Sequence, residues 1–185
     1  MNRPRAFILT LSLLVLSTAL AAPPSLLLPV PSARVPVAGV LSGGQPTQDQ
    51  IAAAGSAGYK TVINLRAETE PGFEWEAAAV KAAGMAYVLI PVAGAAGLTK
   101  DNVARLDAAL KEAAANGPAL LHCGSGNRIG AMLALRAAWL EGKDPAAALE
   151  YGKATGLTGL EPTVKSMLGI ADAAPAPPTP VPPPK

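Results

Sequence analysis

The sequence predicts an α/β domain of three layers, with a mainly parallel central sheet of four to five strands and helices on both faces. Short apolar runs alternate with Ala-rich helical stretches along most of the chain, the order that βαβ crossovers produce. Runs such as Thr61-Val62-Ile63-Asn64-Leu65 are continuously apolar and β-branched, as strands covered on both sides are. A length of 185 residues suits one domain of ordinary size.

The first predicted strand is Val37-Ala38-Gly39-Val40-Leu41, ended by Gly43-Gly44. Thr47-Gln48-Asp49-Gln50 has the form of a capping box, so a helix runs from there to about Ala57 and stops at Gly58. Thr61–Leu65 is the second strand, and a loop with Pro71-Gly72 leads to a helix over Glu74–Ala83, stopped by Gly84. Met85–Ile90 is the next strand, closed by Pro91. Thr99 caps a helix to about Ala115, which Asn116-Gly117 ends. Ala119-Leu120-Leu121 is a short buried strand running straight into His122-Cys123. Ile129–Leu140 reads as a helix, Asp144-Pro145 opens another with a capping Asp and Pro at its first position, and Glu161-Pro162 opens a last short one.

The two ends read differently. Arg3 and Arg5, the apolar run Ala6–Leu20 and the small residues of Ala19-Leu20-Ala21 form a secretory signal over residues 1–21, cleaved after Ala21. The rival is an uncleaved anchor, which the run is short for, since about 20 apolar residues are needed to span a bilayer. Residues 22–36 hold Pro23, Pro24, Pro29, Pro31 and Pro36 and read as a linker; residues 171–185 read as an extended Pro-rich tail. The folded domain is then 37–170, and the expected location is the periplasm or the exterior.

Composition narrows the function. A single Cys and a single His leave no disulfide framework and no ligand cluster for a metal, and no cofactor is expected. Aromatic residues at 4% are too few for a platform on which single-stranded nucleic acid stacks. Without Arg3 and Arg5 the mature chain carries 13 cationic and 13 acidic side chains, so bulk charge points to neither nucleic acid nor an anionic membrane. The expected partner is a small anionic substrate.

The chemistry concentrates in His122-Cys123-Gly124-Ser125-Gly126-Asn127-Arg128, at the carboxyl end of a strand and the start of a helix, where open parallel sheets bind ligands. Gly124 and Gly126 let the backbone curl so that successive N–H groups point inward as an anion nest, and the helix adds its positive end. Arg128 supplies a planar guanidinium that grips two oxyanion oxygens at once. Cys123 at this mouth is the candidate nucleophile, expected to stand as thiolate. Ser125 and Asn127 either hydrogen-bond the thiolate or shape the loop. His122 points to the opposite face of an extended strand and supports the loop from beneath. Gln45, Asn64 and Arg66 are supporting candidates; the last two end a strand where a second cation faces the anion site, unless Arg66 is paired with Glu68 or Glu70 in its own loop.

These residues also carry a resemblance. His122-Cys123 to Arg128, followed by a helix, resembles the active-site loop of cysteine-dependent phosphatases. With Ser42-Gly43-Gly44-Gln45-Pro46 and Val62-Ile63-Asn64-Leu65-Arg66 upstream, the order of blocks resembles the phosphatase-like domain of beta-lactamase-hydrolase-like proteins, over roughly Val40–Leu140. The resemblance implies a phosphatase-like fold and a thiol nucleophile. Gly44 is an additional glycine in the first block, expected only to lengthen that turn.

Two departures from tyrosine and dual-specificity phosphatases bear on the reaction. Cys123 and Arg128 have four residues between them, one fewer than in those enzymes, and the shorter loop is similar to that of rhodanese-type sulfurtransferases. Those phosphatases also carry an Asp general acid upstream, where this chain has Pro91–Gly97 without a carboxylate; Asp101, just after Thr99, reads as a helix-start residue. Three functions follow in order: a hydrolase of phosphate esters, a sulfurtransferase carrying a persulfide on Cys123, and a non-catalytic anion- or partner-binding module.

Overall fold

A computed structural model describes residues 28–171; the stretch read from the sequence as a secretory signal and almost all of the Pro-rich tail lie outside the described residues. Five strands form one sheet in the order β1-β2-β5-β3-β4: β1 Arg34–Val37, β2 Val40–Gly43, β3 Thr61–Asn64, β4 Ala86–Leu89 and β5 Ala119–His122. All neighbours are parallel except β1, which pairs antiparallel with β2 at the edge. The helices are α1 Gln48–Ser56, α2 Glu76–Ala82, α3 Lys100–Asn116, α4 Asn127–Trp139, α5 Pro145–Ala154 and α6 Glu161–Met167.

Alternation along the strands builds the three layers. Leu41, Val62 and Leu120 point to one face, where Ile51 and Ala54 of α1 and Val80 of α2 cover them. Val40, Ile63 and Leu121 point to the other and meet Val103, Leu106 and Leu110 of α3 with Ile129, Met132 and Leu133 of α4. The strands are apolar on both faces because both faces are buried.

The predicted caps form as read. Thr47 Oγ1 accepts from Gln50 N–H at 3.2 Å while Gln50 Oε1 accepts from Thr47 N–H at 2.9 Å, a reciprocal pair of which the cap itself contributes about 1 kcal/mol. Thr99 accepts from Asn102 N–H and Asp144 from the N–H groups of Ala146 and Ala147.

Three expectations are corrected. The first predicted strand, 37–41, is in fact a hairpin: β1 ends at Val37, Ala38-Gly39 turn, and β2 starts at Val40, with Gly39 at φ +77° supplying the left-handed residue the turn needs. The predicted linker over 22–36 is built into the fold from Leu28 onward. Leu28 and Val30 are buried beside Leu41, Gln50 Nε2 donates to Pro29 O, and Arg34–Val37 is the edge strand itself. Pro36 is compatible with that strand because an edge leaves one row of backbone groups unpaired. α4 also begins at Asn127 rather than Ile129, so Arg128 lies in its first turn.

Candidate active site

Register brings the site together. Gly43 of β2 and Asn64 of β3 both align with His122 at the end of β5, so three strand ends deliver Gly44, Cys123 and Arg66 to one edge. Cys123 follows the central strand and is buried, and its N–H donates to Gly43 O at 3.3 Å. Gly124 and Ser125 are exposed, so the rim of the loop faces solvent. Gly126 adopts φ +98° as the cap of α4, and its N–H donates to Cys123 Sγ at 3.1 Å.

Gly43 and Gly44 do more than lengthen a turn. A Cβ on Gly43 would stand 2.7 Å from Pro31 O, and one on Gly44 would stand 3.0 Å from both Gly124 O and Pro31 Cβ. Bare backbone is needed at these positions for the segment before β1 to close against the loop.

Arg128 is held on one edge by Glu70. Its Nη2 donates to Glu70 Oε2 at 2.8 Å and its Nη1 to Glu70 Oε1, a bidentate fork; Nη1 also reaches Val92 O at 3.2 Å. Nε and one Nη2 hydrogen remain, and Nη2 lies 3.2 Å from where a Cβ on Gly124 would stand, so the guanidinium rests against the loop that follows Cys123. Hydrogen bonding to Glu70 first, then the charges of Cys123 and Glu70, raise the Arg128 pKa against the opposing effect of burial.

Arg66 is buried and takes the pairing that the sequence left open: Nε lies 3.4 Å from Glu70 Oε2, and Nη2 donates to Pro71 O at 2.6 Å. It therefore acts on the loop through Glu70 rather than lining it. Asn64 Oδ1 accepts from Arg66 N–H at 2.7 Å, and Asn64 Nδ2 donates to Tyr87 Oη and Glu76 Oε2. His122 Nε2 lies 2.5 Å from Glu76 Oε1, both side chains fully buried on the α2 side of the sheet, away from Cys123 as alternation requires. Gln45 N–H donates to Gly124 O at 3.4 Å, and its side chain donates to Gly72 O. Asn127 Oδ1 accepts from the N–H groups of Thr158 and Leu160, so of the two expectations for it the side chain serves local structure, tying α4 to the loop before α6.

Two carboxylates were not singled out in the sequence for the roles they hold. The sequence points to Glu70 only as a partner for Arg66, and its grip on Arg128 spans 58 residues of chain. Glu76 had no signal beyond its place near a helix start.

Glu70 predicts an acid-sensitive clamp. Hydrogen bonds from Arg128, then from Ala67 N–H, together with the two guanidinium charges, lower its pKa from 4.5 to about 2 despite partial burial. A carboxylate with a depressed folded pKa stabilises fully above about pH 4.5 and loses that contribution as pH falls toward about 2. Glu70→Gln is therefore less stable than wild type at pH 7, and the gap narrows over that acid window. Thermal unfolding across the window checks this; a constant gap refutes the coupling.

A short Cys-to-Arg loop at the carboxyl edge of a mainly parallel, three-layer sheet defines the class as a phosphatase-like α/β domain. The sequence profile of the phosphatase-like domain of beta-lactamase hydrolase-like proteins matches residues 37–139, more than half of the chain, and the chain belongs to that family. The beta-lactamase hydrolase-like protein of Xylella fastidiosa is 37% identical over 89 residues, and that of Agrobacterium fabrum 35%. The matched stretch is 46% of this chain and 20% of those relatives' length. Among solved structures, a DUF442 protein of Shewanella putrefaciens CN-32 superposes with a TM-score of 0.58 at 23% identity, covering 75% of this chain and 87% of that one. TpbA of P. aeruginosa gives 0.54 at 22%, covering 72% and 80%; the catalytic core of the PP-IP phosphatase SIW14 of S. cerevisiae gives 0.55 at 17%, covering 78% and 87%. At these identities the structural likenesses speak for the fold.

Proposed function

We propose that the domain hydrolyses phosphate esters through Cys123. The observation that carries this reading is the placement of Cys123 Sγ beneath the Gly126 amide, with Arg128 Nη2 against Gly124 of the same loop. In this reaction the thiolate attacks phosphorus, the ester P–O bond breaks, and the leaving group departs as an oxyanion that takes its proton from water. Arg128 and the loop amides hold the equatorial oxygens as charge redistributes. Water then attacks the phosphocysteine, releasing inorganic phosphate and restoring the thiol.

The general acid is the weak point of the machinery and defines the substrate. The loop that approaches Arg128 at Val92 carries no carboxylate over residues 91–97. Glu70 is near, 3.9 Å from where a Cβ on Gly124 would stand, but two arginines keep it ionised at neutral pH. Leaving groups that depart without a proton are favoured. We expect 4-nitrophenyl phosphate to turn over and simple alkyl phosphates to react about 100-fold more slowly or worse. Equal rates on both would mean that an acid outside residues 91–97 protonates the leaving group.

The loop of four residues between Cys123 and Arg128 favours a second reading, sulfur transfer. Intact mass after incubation with thiosulfate separates the two. A gain of one sulfur atom, absent from Cys123→Ser, would make the persulfide reading the leading one; no gain on a reduced thiol leaves phosphate hydrolysis in place. Because Arg3, Arg5 and Ala19-Leu20-Ala21 read as a cleaved signal, we place this activity outside the cytoplasm.

A further inference from the structure

We propose that Arg34 is a specificity-determining residue of this site, binding a second oxyanion that the substrate carries beside the scissile phosphate. The proposal rests on the phosphate-site reading above and extends it to a substrate class: phosphate compounds with an adjacent anionic group.

Topology places Arg34 there. Because β1 runs antiparallel to β2, its first residue lies at the carboxyl edge of the parallel strands, the edge that carries the loop. Arg34 pairs with Ser42, one residue before Gly43, whose own partner His122 precedes Cys123. The guanidinium then lies over the loop: Nη1 is 3.6 Å from where a Cβ on Gly126 would stand and 3.4 Å from the same point on Gly156. Gly126 is the residue whose amide meets the sulfur.

The segment is shaped to hold it. Ser32, two residues earlier, has φ +53° and is the one non-glycine left-handed residue among those described. This conformation costs about 1 kcal/mol, and it turns the chain so that Ser32 O accepts from Arg34 Nη1 at 2.9 Å. Local strain that aims a charged side chain at a site is a pointer to function.

Charge supplies the reason for a third cation. Arg66 and Arg128 share Glu70, so the inner site carries a net single positive charge, which a thiolate on Cys123 cancels. A dianionic phosphate gains no net attraction from that set, and a second anionic group gains less. Arg34 is exposed and pairs with no carboxylate among the described residues, with four of its five N–H groups uncommitted.

The test uses full-length mature protein carrying Cys123→Ser, which holds anions without turnover, alone and combined with Arg34→Gln or Arg34→Lys. Amide shifts of Gly124 and Gly126 on titration with inorganic phosphate and inorganic pyrophosphate give a dissociation constant for each. The preference for pyrophosphate over phosphate is expected to fall about fivefold in Arg34→Gln and to be largely retained in Arg34→Lys. An unchanged ratio in Arg34→Gln overturns the proposal while leaving the phosphate site intact. No response of the loop amides to either anion before Arg34 is touched overturns the phosphate-site reading, and this proposal with it.

Discussion

Cys123→Ser is expected to abolish turnover of 4-nitrophenyl phosphate, with a loss in kcat of at least about 10³-fold, while inorganic phosphate still binds. The serine hydroxyl is a far weaker nucleophile at neutral pH, and His122, the single histidine of the sequence, is turned to the opposite face of the sheet against Glu76. Binding survives because the loop amides and Arg128 do not depend on sulfur. Arg128→Ala should cost about 10²- to 10³-fold as well, since in the proposed reaction the guanidinium is the main cation that holds the transferred group. It also leaves Glu70 with Arg66 alone. Circular dichroism on both variants guards against misreading a folding defect. Full activity in Cys123→Ser would end both enzymatic readings together.

Gly130→Ala is expected to destabilise the domain by about 3 kcal/mol or more, lowering Tm by about 10 °C. Gly130 is where α4 crosses α5. A methyl group there would stand 2.0 Å from Leu157 N, 2.5 Å from Gly152 O and 2.7 Å from Gly156 C, all backbone atoms that cannot swing aside. Gly152 meets the same crossing from the other side: a Cβ there would stand 2.8 Å from Gly130 O. The helices must separate, and because α4 carries Arg128 in its first turn, separation also displaces the guanidinium. Activity should therefore fall along with stability. Gly159→Ala is the control: its Cβ would meet only Asn127 Nδ2 at an ordinary 3.8 Å, and its effect should stay within about 0.5 kcal/mol. A Gly130→Ala protein with unchanged Tm would mean that the crossing relaxes far more easily than close packing allows.

Local chemistry made much of the molecule legible. Thr47 with Gln50, Thr99, and Asp144 before Pro145 are caps whose donors and acceptors lie within three residues of one another, so their sequence spacing is their geometry. The loop from Cys123 to Arg128 was legible for the same reason: glycines, cation and helix start are contiguous in the chain. Pro-rich composition misled over residues 28–36, because a proline count reports lost backbone donors, whereas an edge strand has donors to spare and Leu28 and Val30 still found a core to enter.

By itself, then, the sequence determined the α/β layering, the helix starts and the thiol-and-arginine loop, all of which rest on interactions between near neighbours in the chain or on the two-residue alternation of strands. Only the tertiary structure decided that Glu70 clamps Arg128, that His122 is set against Glu76, that Asn127 is drawn toward Thr158 and that Arg34 lies over Gly126. Those pairs depend on the order in which strands enter the sheet and on their register. Register is fixed by burial of whole faces at once, a sum over the core that no single stretch of sequence spells out.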